Sequence, residues 1–339
     1  MKALKIVGIV IAAIIVLVII LGLIAPNEYV AERKTMIDAP RELVFNHVKY
    51  WRNWQAWSPW AAQDSSMEVT VKGVDGEVGS VYSWVGDPQL TGTGEMTNTG
   101  LQPYEEMMFD LHFIEPYESH SVGWLRLASD EAGKTEAAWG FSGEMAFPMN
   151  IMLLFSSMDA MIGPDFDRGL SLLKDICETD YAAVSKYTVE EVEYPAKTFA
   201  AIRKMIPMSE MQTFFAESYA AISAGIGKAG ARMTGIPCAF YYEWDMQNGQ
   251  TELAAAIPVN RSVSSDELQT IQIPARRAFK VDYYGPYGEA SAPAHMALDL
   301  YLAQRGLEQV SPVIEEYVTD PQTEPDPARW LTVIYYFGE

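Results

Sequence analysis

The sequence predicts an α+β protein: an N-terminal transmembrane helix, an antiparallel sheet gripping a long helix, and a duplicated βαββ domain. Three observations lead there. Ile6 to Ala25 is a run of twenty residues without a charge. From about residue 28 to 180, short strand-like segments separated by turn residues end in one long amphipathic stretch. From about residue 186 to 339, a strand–helix–strand–strand pattern occurs twice. The expected boundaries are therefore 1–27, 28–180 and 186–339, and a length of 339 residues suits two globular domains better than one.

Composition narrows the function. Hydrophobic residues make up 49% of the chain, enough for sizeable cores, and nine Trp with eighteen Tyr can line clefts while keeping a polar handle. A formal charge of −21 argues against nucleic-acid binding, which needs a basic footprint. It also argues against docking on anionic lipid through a polybasic surface. Cys177 and Cys238 are the only cysteines, so there is no disulfide framework, although one bridge between them stays open. His47, His112, His120 and His295 have no metal-ligand spacing, so neither a metal nor a cofactor is expected.

The first element is read as an anchor. About 20 apolar residues at about 1.5 Å rise cross a hydrocarbon core of roughly 30 Å. A cleaved signal has an apolar stretch of about 7–15 residues and an A-x-A-like site. This run is longer, and Leu23-Ile24-Ala25 is a poor cleavage site. Lys2 and Lys5 precede the helix, whereas Asn27 to Glu32 contains no Lys or Arg before Arg33, Lys34 and Arg41. That flank places the amino terminus inside and both domains outside the cytoplasm.

Tyr29–Ile37 reads as a strand, and Pro40 opens a short helix with Leu43, Val44, Phe45 and Val48 on its apolar side. Trp51, Trp54, Trp57 and Trp60 recur every three residues until Pro59 breaks the helix, as cavity lining or as packing against a sheet. Strands follow at 67–73, 80–85, 90–98, 104–113, 119–128 and 135–143, with turn signals between them. Phe166, Leu170, Leu173 and Cys177 then mark one face of a long helix. His112, Glu115, Glu118 and His120 could form a polar cluster across the Phe113–Ser119 turn, catalytic only within reach of a substrate, and the turn chemistry at Pro116 favours exposed turn residues instead.

The stretches "MIDAPRELVFNHVKYWRNWQAWSPW", "GEVGSVYSWVGDPQLTGTGEM" and "PDFDRGLSLLKDICE" resemble the SRPBCC (START-like, polyketide-cyclase-like) family across this whole segment. The resemblance implies a helix-grip fold and a deep apolar cavity for hydrophobic ligands. It does not imply one chemistry.

Residues 179–185 are polar enough to serve as a linker. Beyond them, strands start at Tyr194-Pro195-Ala196-Lys197 and at Ile273-Pro274-Ala275-Arg276. The helix after the first has a capping-box pattern, Ser209 with Gln212, and a face of Met211, Phe215, Tyr219 and Ile222. The helix after the second runs from about Ala290 to Arg305 and stops at Gly306. Pro237 and Pro312, like Asp245 and Asp320, stand 75 residues apart, which supports a repeat with a cleft between its halves.

In the strand at 313–318, alternation puts Glu315 on one face with Val313 and Tyr317, and Glu316 on the other. The same offset makes Phe240 the mate of Glu315, with Cys238 and Tyr242 beside it. Glu315 then either lies among Phe240, Tyr242, Tyr317, Tyr283, Tyr287 and Trp330, or pairs with a Lys or Arg at the surface. In the first case an organic cation would satisfy the carboxylate, and the rings would add cation–π attraction.

"YYEWDMQNGQTELAAAIPV", "YYGPYGEASAPAHMAL" and "SPVIEEYVTDP" resemble the gyrase-inhibitor-like (GyrI-like) effector-binding domain. That resemblance implies binding of cationic, aromatic small molecules through a central acid, which Glu315 matches. It also implies hydrolysis of reactive molecules in some relatives, a role that Glu315 with Tyr283 or Tyr287 would carry here. No helix-turn-helix stretch accompanies it. The expected function is a membrane-held sensor or carrier of hydrophobic or amphipathic molecules. The alternatives are a hydrolase of toxic electrophiles and an inhibitory interaction module, the latter requiring a cytoplasmic face.

Overall fold

The computed structural model describes residues 2–246 and 248–339. They divide into two compact units, Met1–Tyr181 and Ala182–Glu339.

In the first unit, α1 (Lys2–Ile24) leads into β1 (Glu28–Ile37), α2 (Arg41–Lys49) and α3 (Trp51–Trp57). Six strands follow: β2 (Glu68–Lys72), β3 (Val81–Val85), β4 (Thr93–Gln102), β5 (Glu106–Glu115), β6 (Ser119–Ser129) and β7 (Thr135–Glu144). A short 3-10 helix (Met149–Leu154) precedes α4 (Met158–Val184). The sheet order is β1-β7-β6-β5-β4-β3-β2, antiparallel throughout. Consecutive strands from β2 to β7 are neighbours because each connection is a short hairpin loop. The two helices after β1 carry the chain to the far edge, so β1 is left to pair with β7.

The tryptophan run is packing. Trp51, Trp54 and Trp57 are buried, with ring centroids 4.8 Å and 4.7 Å apart in succession, and Trp54 and Trp57 both meet Trp139 of β7 edge-on. Their spacing of three keeps them on one side of α3, and Ser58-Pro59 ends the helix as expected. Their indole N–H groups do not go unpaired: Trp54 donates to the Val48 carbonyl and Trp51 to Ser80 Oγ. On α4, Phe166, Leu170, Leu173 and Cys177 are all buried, as the period predicts. Gly169 lets α4 approach closely, since a Cβ there would lie 2.5 Å from the Trp139 ring. The polar stretch expected to be a linker is instead the end of α4, which runs to a buried Val184.

The second unit contains β8 (Glu190–Tyr194), β9 (Lys197–Pro207), α5 (Met211–Lys228), β10 (Cys238–Asp245) and β11 (Gln250–Pro258). Then come β12 (Gln269–Ile273), β13 (Arg276–Tyr284), α6 (Ala292–Ala303), β14 (Gln309–Tyr317) and β15 (Leu331–Gly338). The order β12-β9-β11-β10-β14-β15-β13-β8 forms one antiparallel sheet. Each half has one strand more than the expected βαββ. The extra strand sits across a Pro-Ala break from the next one, so β8 pairs with β13 and β12 with β9. No capping box forms: α5 starts at Met211 after a 3-10 turn, and its N-cap, Glu210, makes no side-chain cap. Its buried stripe is Phe214, Ser218, Ile222 and Ile226, with Met211, Phe215 and Tyr219 at the margin. Cys177 and Cys238 are buried free thiols, and burial pushes the pKa of both up. They form no bridge.

One acid fixes the loops at the far edge of the first sheet. Asp64 accepts hydrogen bonds from the Ser66 hydroxyl and backbone N–H, the Thr91 hydroxyl, and the Asp87 N–H. These donors, the Ser66 and Thr91 hydroxyls first, hold its carboxyl well below the usual range. A depressed carboxylate stabilises the fold above the unfolded-state value of about 3.9 and loses that contribution as pH falls towards the folded value. Asp64→Ala is therefore expected to lower the urea midpoint at neutral pH, with the gap to wild type closing below about pH 4. A gap independent of pH would contradict this role.

Candidate functional site

The register of the second sheet decides what surrounds Glu315. Residues directly opposite on antiparallel strands point to the same face. Glu315 faces Ala239 on β10 and Ile334 on β15, whereas Ile314 faces Phe240 and Glu316 faces Cys238. Glu315 therefore shares its face with Val313, Tyr317, Tyr241, Tyr283 and Tyr336. α5 and α6 cover that face. Phe240 and Tyr242, expected beside Glu315, lie on the opposite face: Phe240 is in a separate core cluster, and the Tyr242 ring is covered by Arg203 at 3.5 Å. A register difference of one residue exchanges every side chain between faces, and the offset of 75 misses by that one residue.

Glu315 is only 9% exposed. Its Oε1 is 2.9 Å from His295 Nε2 on α6, and its Oε2 accepts from the hydroxyls of Tyr317 at 2.8 Å and Tyr241 at 3.5 Å. His295 Nδ1 is 3.2 Å from the Tyr336 hydroxyl. This set is satisfied when Tyr336 donates to Nδ1 and Nε2–H donates to the carboxylate. Burial first, and then the Glu315 charge, pushes ionisation of Tyr241 and Tyr317 well above the ordinary phenol value. Both remain donors. Tyr219 on α5 and Tyr336 are raised for the same first reason, and both also feel the Glu315 charge. Among the described residues, no Lys or Arg pairs with Glu315.

Of the other expected residues, Tyr317, Tyr287 and Trp330 form a rim, and Tyr283 is buried in the core. The Tyr287 ring lies 4.9 Å from those of both Tyr317 and Trp330. Its hydroxyl donates to the Thr319 carbonyl, and that of Tyr283 to the Pro286 carbonyl. Neither hydroxyl bonds Glu315, although Tyr283 feels its charge. Tyr317, Tyr287 and Trp330 are partly exposed, so the rim is the accessible side of the nest. Sequence reasoning missed His295, Tyr241, Tyr219 and Tyr336. The available signal for His295 was its place beside Ala294 and Leu298 on a helix whose other polar side chain is Asp299.

Glu316 provides the internal comparison. On the opposite face it binds Lys197 Nζ at 2.5 Å and the Tyr194 hydroxyl at 3.0 Å, beside a cavity of about 210 Å³ that Lys197, Ile236 and Pro258 also line. Its charge is matched within the protein. That of Glu315 meets only imidazole and phenols.

In the first unit, strand pairing brings together residues with no ligand-like spacing. His112 faces His120 across β5 and β6, with the rings stacked at 3.9 Å. Glu118 lies 3.5 Å from His112 Nε2, and ligand atoms of all three residues fall within 4.8 Å of one another. Two imidazoles and a carboxylate are a donor set that can hold a metal ion. Glu118 and His120 are exposed, as expected, whereas His112 is half-buried.

Residues 187–336 match the family profile of the GyrI-like small molecule binding domain, and this segment is such a domain. Among solved structures, the chain is similar to the C-terminal domain of EcmrR, at 20% identity and a TM-score of 0.41 over 45% of this chain and 98% of that one. It is also similar to an uncharacterized conserved protein from Listeria innocua, at 13% identity and a TM-score of 0.34 over 45% and 92%. A third, SAV2435 bound to tetraphenylphosphonium, has 12% identity and a TM-score of 0.34 over 45% and 93%. No match was found among curated proteins.

The Glu316 pair gives a stability prediction. The Lys197 side chain is 28% exposed and that of Glu316 10%. Lys197→Met is expected to cost about 1–3 kcal/mol in urea unfolding, because it leaves a buried acid short of a donor. Adding Glu316→Gln should recover part of that loss, and strictly additive losses would contradict the pairing.

Proposed function

We propose that the protein is a membrane-held sensor or carrier whose second unit binds hydrophobic or amphipathic cations against Glu315. One observation carries this reading: a nearly buried carboxylate meets two phenol hydroxyls and one imidazole but, among the described residues, no Lys or Arg. The phenol O–H groups and the imidazole N–H fix its direction and satisfy its lone pairs, but no permanently charged group of the protein faces it among the described residues. A ligand cation within about 4–6 Å would supply such a charge. The partly exposed rings of Tyr317, Tyr287 and Trp330 add apolar area and cation–π attraction at the entrance. A GyrI-like small-molecule-binding domain is compatible with this role.

The remaining parts of the reading have their own support. Leu4–Ile24 is long and apolar enough to be a membrane span or a signal sequence. Retention as an anchor is favoured by Asn150, a buried side chain that donates to the Gly22 carbonyl at 2.8 Å within α1. An extracytoplasmic location follows from the flanking charges. The first unit, with its seven strands and long α4, is read as an SRPBCC-like ligand-binding domain. The order of strands in the second sheet, with β10 and β14 at its centre, supports a duplicated unit. Binding is favoured over hydrolysis, since the Tyr283 and Tyr287 hydroxyls are committed to backbone carbonyls.

The test is ethidium binding to the full chain in nanodiscs, followed by fluorescence anisotropy. Glu315→Gln keeps the shape and removes the charge, and is expected to weaken ethidium by about 10–100-fold, the equivalent of a charge-assisted contact of about 1.5–3 kcal/mol. The melting temperature should remain near that of wild type. Unchanged affinity in a folded variant would contradict the assignment.

A further inference from the structure

Residues 145–158, Met-Ala-Phe-Pro-Met-Asn-Ile-Met-Leu-Leu-Phe-Ser-Ser-Met, form a stretch of fourteen without a charge. It bridges β7 and α4 in the first unit, where a connection of ordinary composition would be polar. Its large side chains do not enter the core: Phe155 is 80% exposed and Phe147 55%, and Met149, Met152 and Leu154 are exposed as well. A contiguous apolar patch rimmed by polar residues marks an interaction surface rather than chance exposure. The first charges on either side, Glu144 and Asp159, bound the patch, and Asp159 is fixed outside it by Arg33.

The segment is tied to the last turn of α1. Asn150, on its 3-10 turn, donates to the Gly22 carbonyl at 2.8 Å and to Asn27 Oδ1 at 2.7 Å. The Met145 N–H donates to the Asn27 carbonyl at 2.7 Å. The Phe147 ring covers Gly22 so closely that a Cβ there would lie 2.3 Å from it, so only glycine allows this contact. Three hydrogen bonds and one ring thus hold the patch level with the end of the helix. Leu23 and Ile24 of α1 are themselves exposed and apolar.

We propose that residues 145–158 form a lip that inserts into the membrane–water interface beside α1, with bilayer lipid as the occupant of the patch. The proposal rests on α1 spanning the membrane. If it does, its last turn lies at the boundary of the hydrocarbon, and the hydrogen bonds to Gly22 and Asn27 bring Phe147, Met149, Met152 and Phe155 to the same depth. Phe and Met without Lys or Arg suit insertion by apolar area rather than by attraction to anionic headgroups. That agrees with a net charge of −21. The lip seats the first unit against the bilayer, where hydrophobic molecules concentrate.

The test uses the full chain in phosphatidylcholine vesicles, with a fluorescent label on single introduced cysteines; Cys177 and Cys238 are buried and resist labelling. Phe155→Cys and Met152→Cys report on the lip, Val16→Cys on α1, and Glu131→Cys on an exposed turn of the same unit. Nitroxide-bearing lipid is expected to quench the labels at 16, 152 and 155 and to spare 131, with aqueous iodide doing the reverse. Quenching at 16 alone would overturn the lip while leaving the anchor standing. Quenching at none of the sites would overturn both. Labels at 152 and 155 shielded from iodide and lipid alike would assign the patch to a protein contact and overturn the proposal.

Discussion

An acid that is nearly out of water and, among the described residues, has no Lys or Arg partner organises the second unit. A buried carboxylate is tolerated only with hydrogen-bond donors around it, and the protein supplies these from three directions. β14 contributes Tyr317, β10 contributes Tyr241, and α6 reaches down with His295, itself tied to Tyr336 of β15. Small residues let α6 lie close enough for this, since its buried positions include Ala294 and Ala297 beside Leu298 and Leu302. The helix, the sheet register and the donors thus depend on one another. Shifting any strand by one residue would present Glu315 to a different set of neighbours.

Two adjacent glutamates make the distinction plain. Glu316 has a lysine, a phenol and no further requirement, and its role is structural. Glu315, one residue earlier and facing the other way, has the same side chain and a similar degree of burial but, among the described residues, no Lys or Arg beside it. The difference between the two acids therefore lies in the partner, which strand alternation assigns but cannot identify.

Much of the fold was legible because its signals are local. The uncharged N-terminal run, the tryptophan spacing in α3, the stripe Phe166, Leu170, Leu173, Cys177 and the separation of Glu315 from Glu316 all follow from one period or one run. The failures are of another kind. Phe240 and Tyr242 were misplaced because cross-strand register depends on a partner strand more than 70 residues away, with bulges on the way. β8 and β12 have no counterpart in the expected pattern, because each is short and separated from the next strand only by Pro-Ala. His295 was invisible, since a polar pair, His295 and Asp299, on a short and largely apolar helix carries no signal of which strand it faces. The proximity of His112 to His120 arises from a hairpin register and not from spacing.

The most direct measurement is a crystal structure of the complex with an aromatic cation. The account predicts the cationic centre within about 4–6 Å of the Glu315 carboxylate, with its rings against Tyr317, Tyr287 or Trp330. A cation seated beside Glu316 and Lys197, or bound in the first unit with Glu315 still closed off by its own tyrosines, would contradict it.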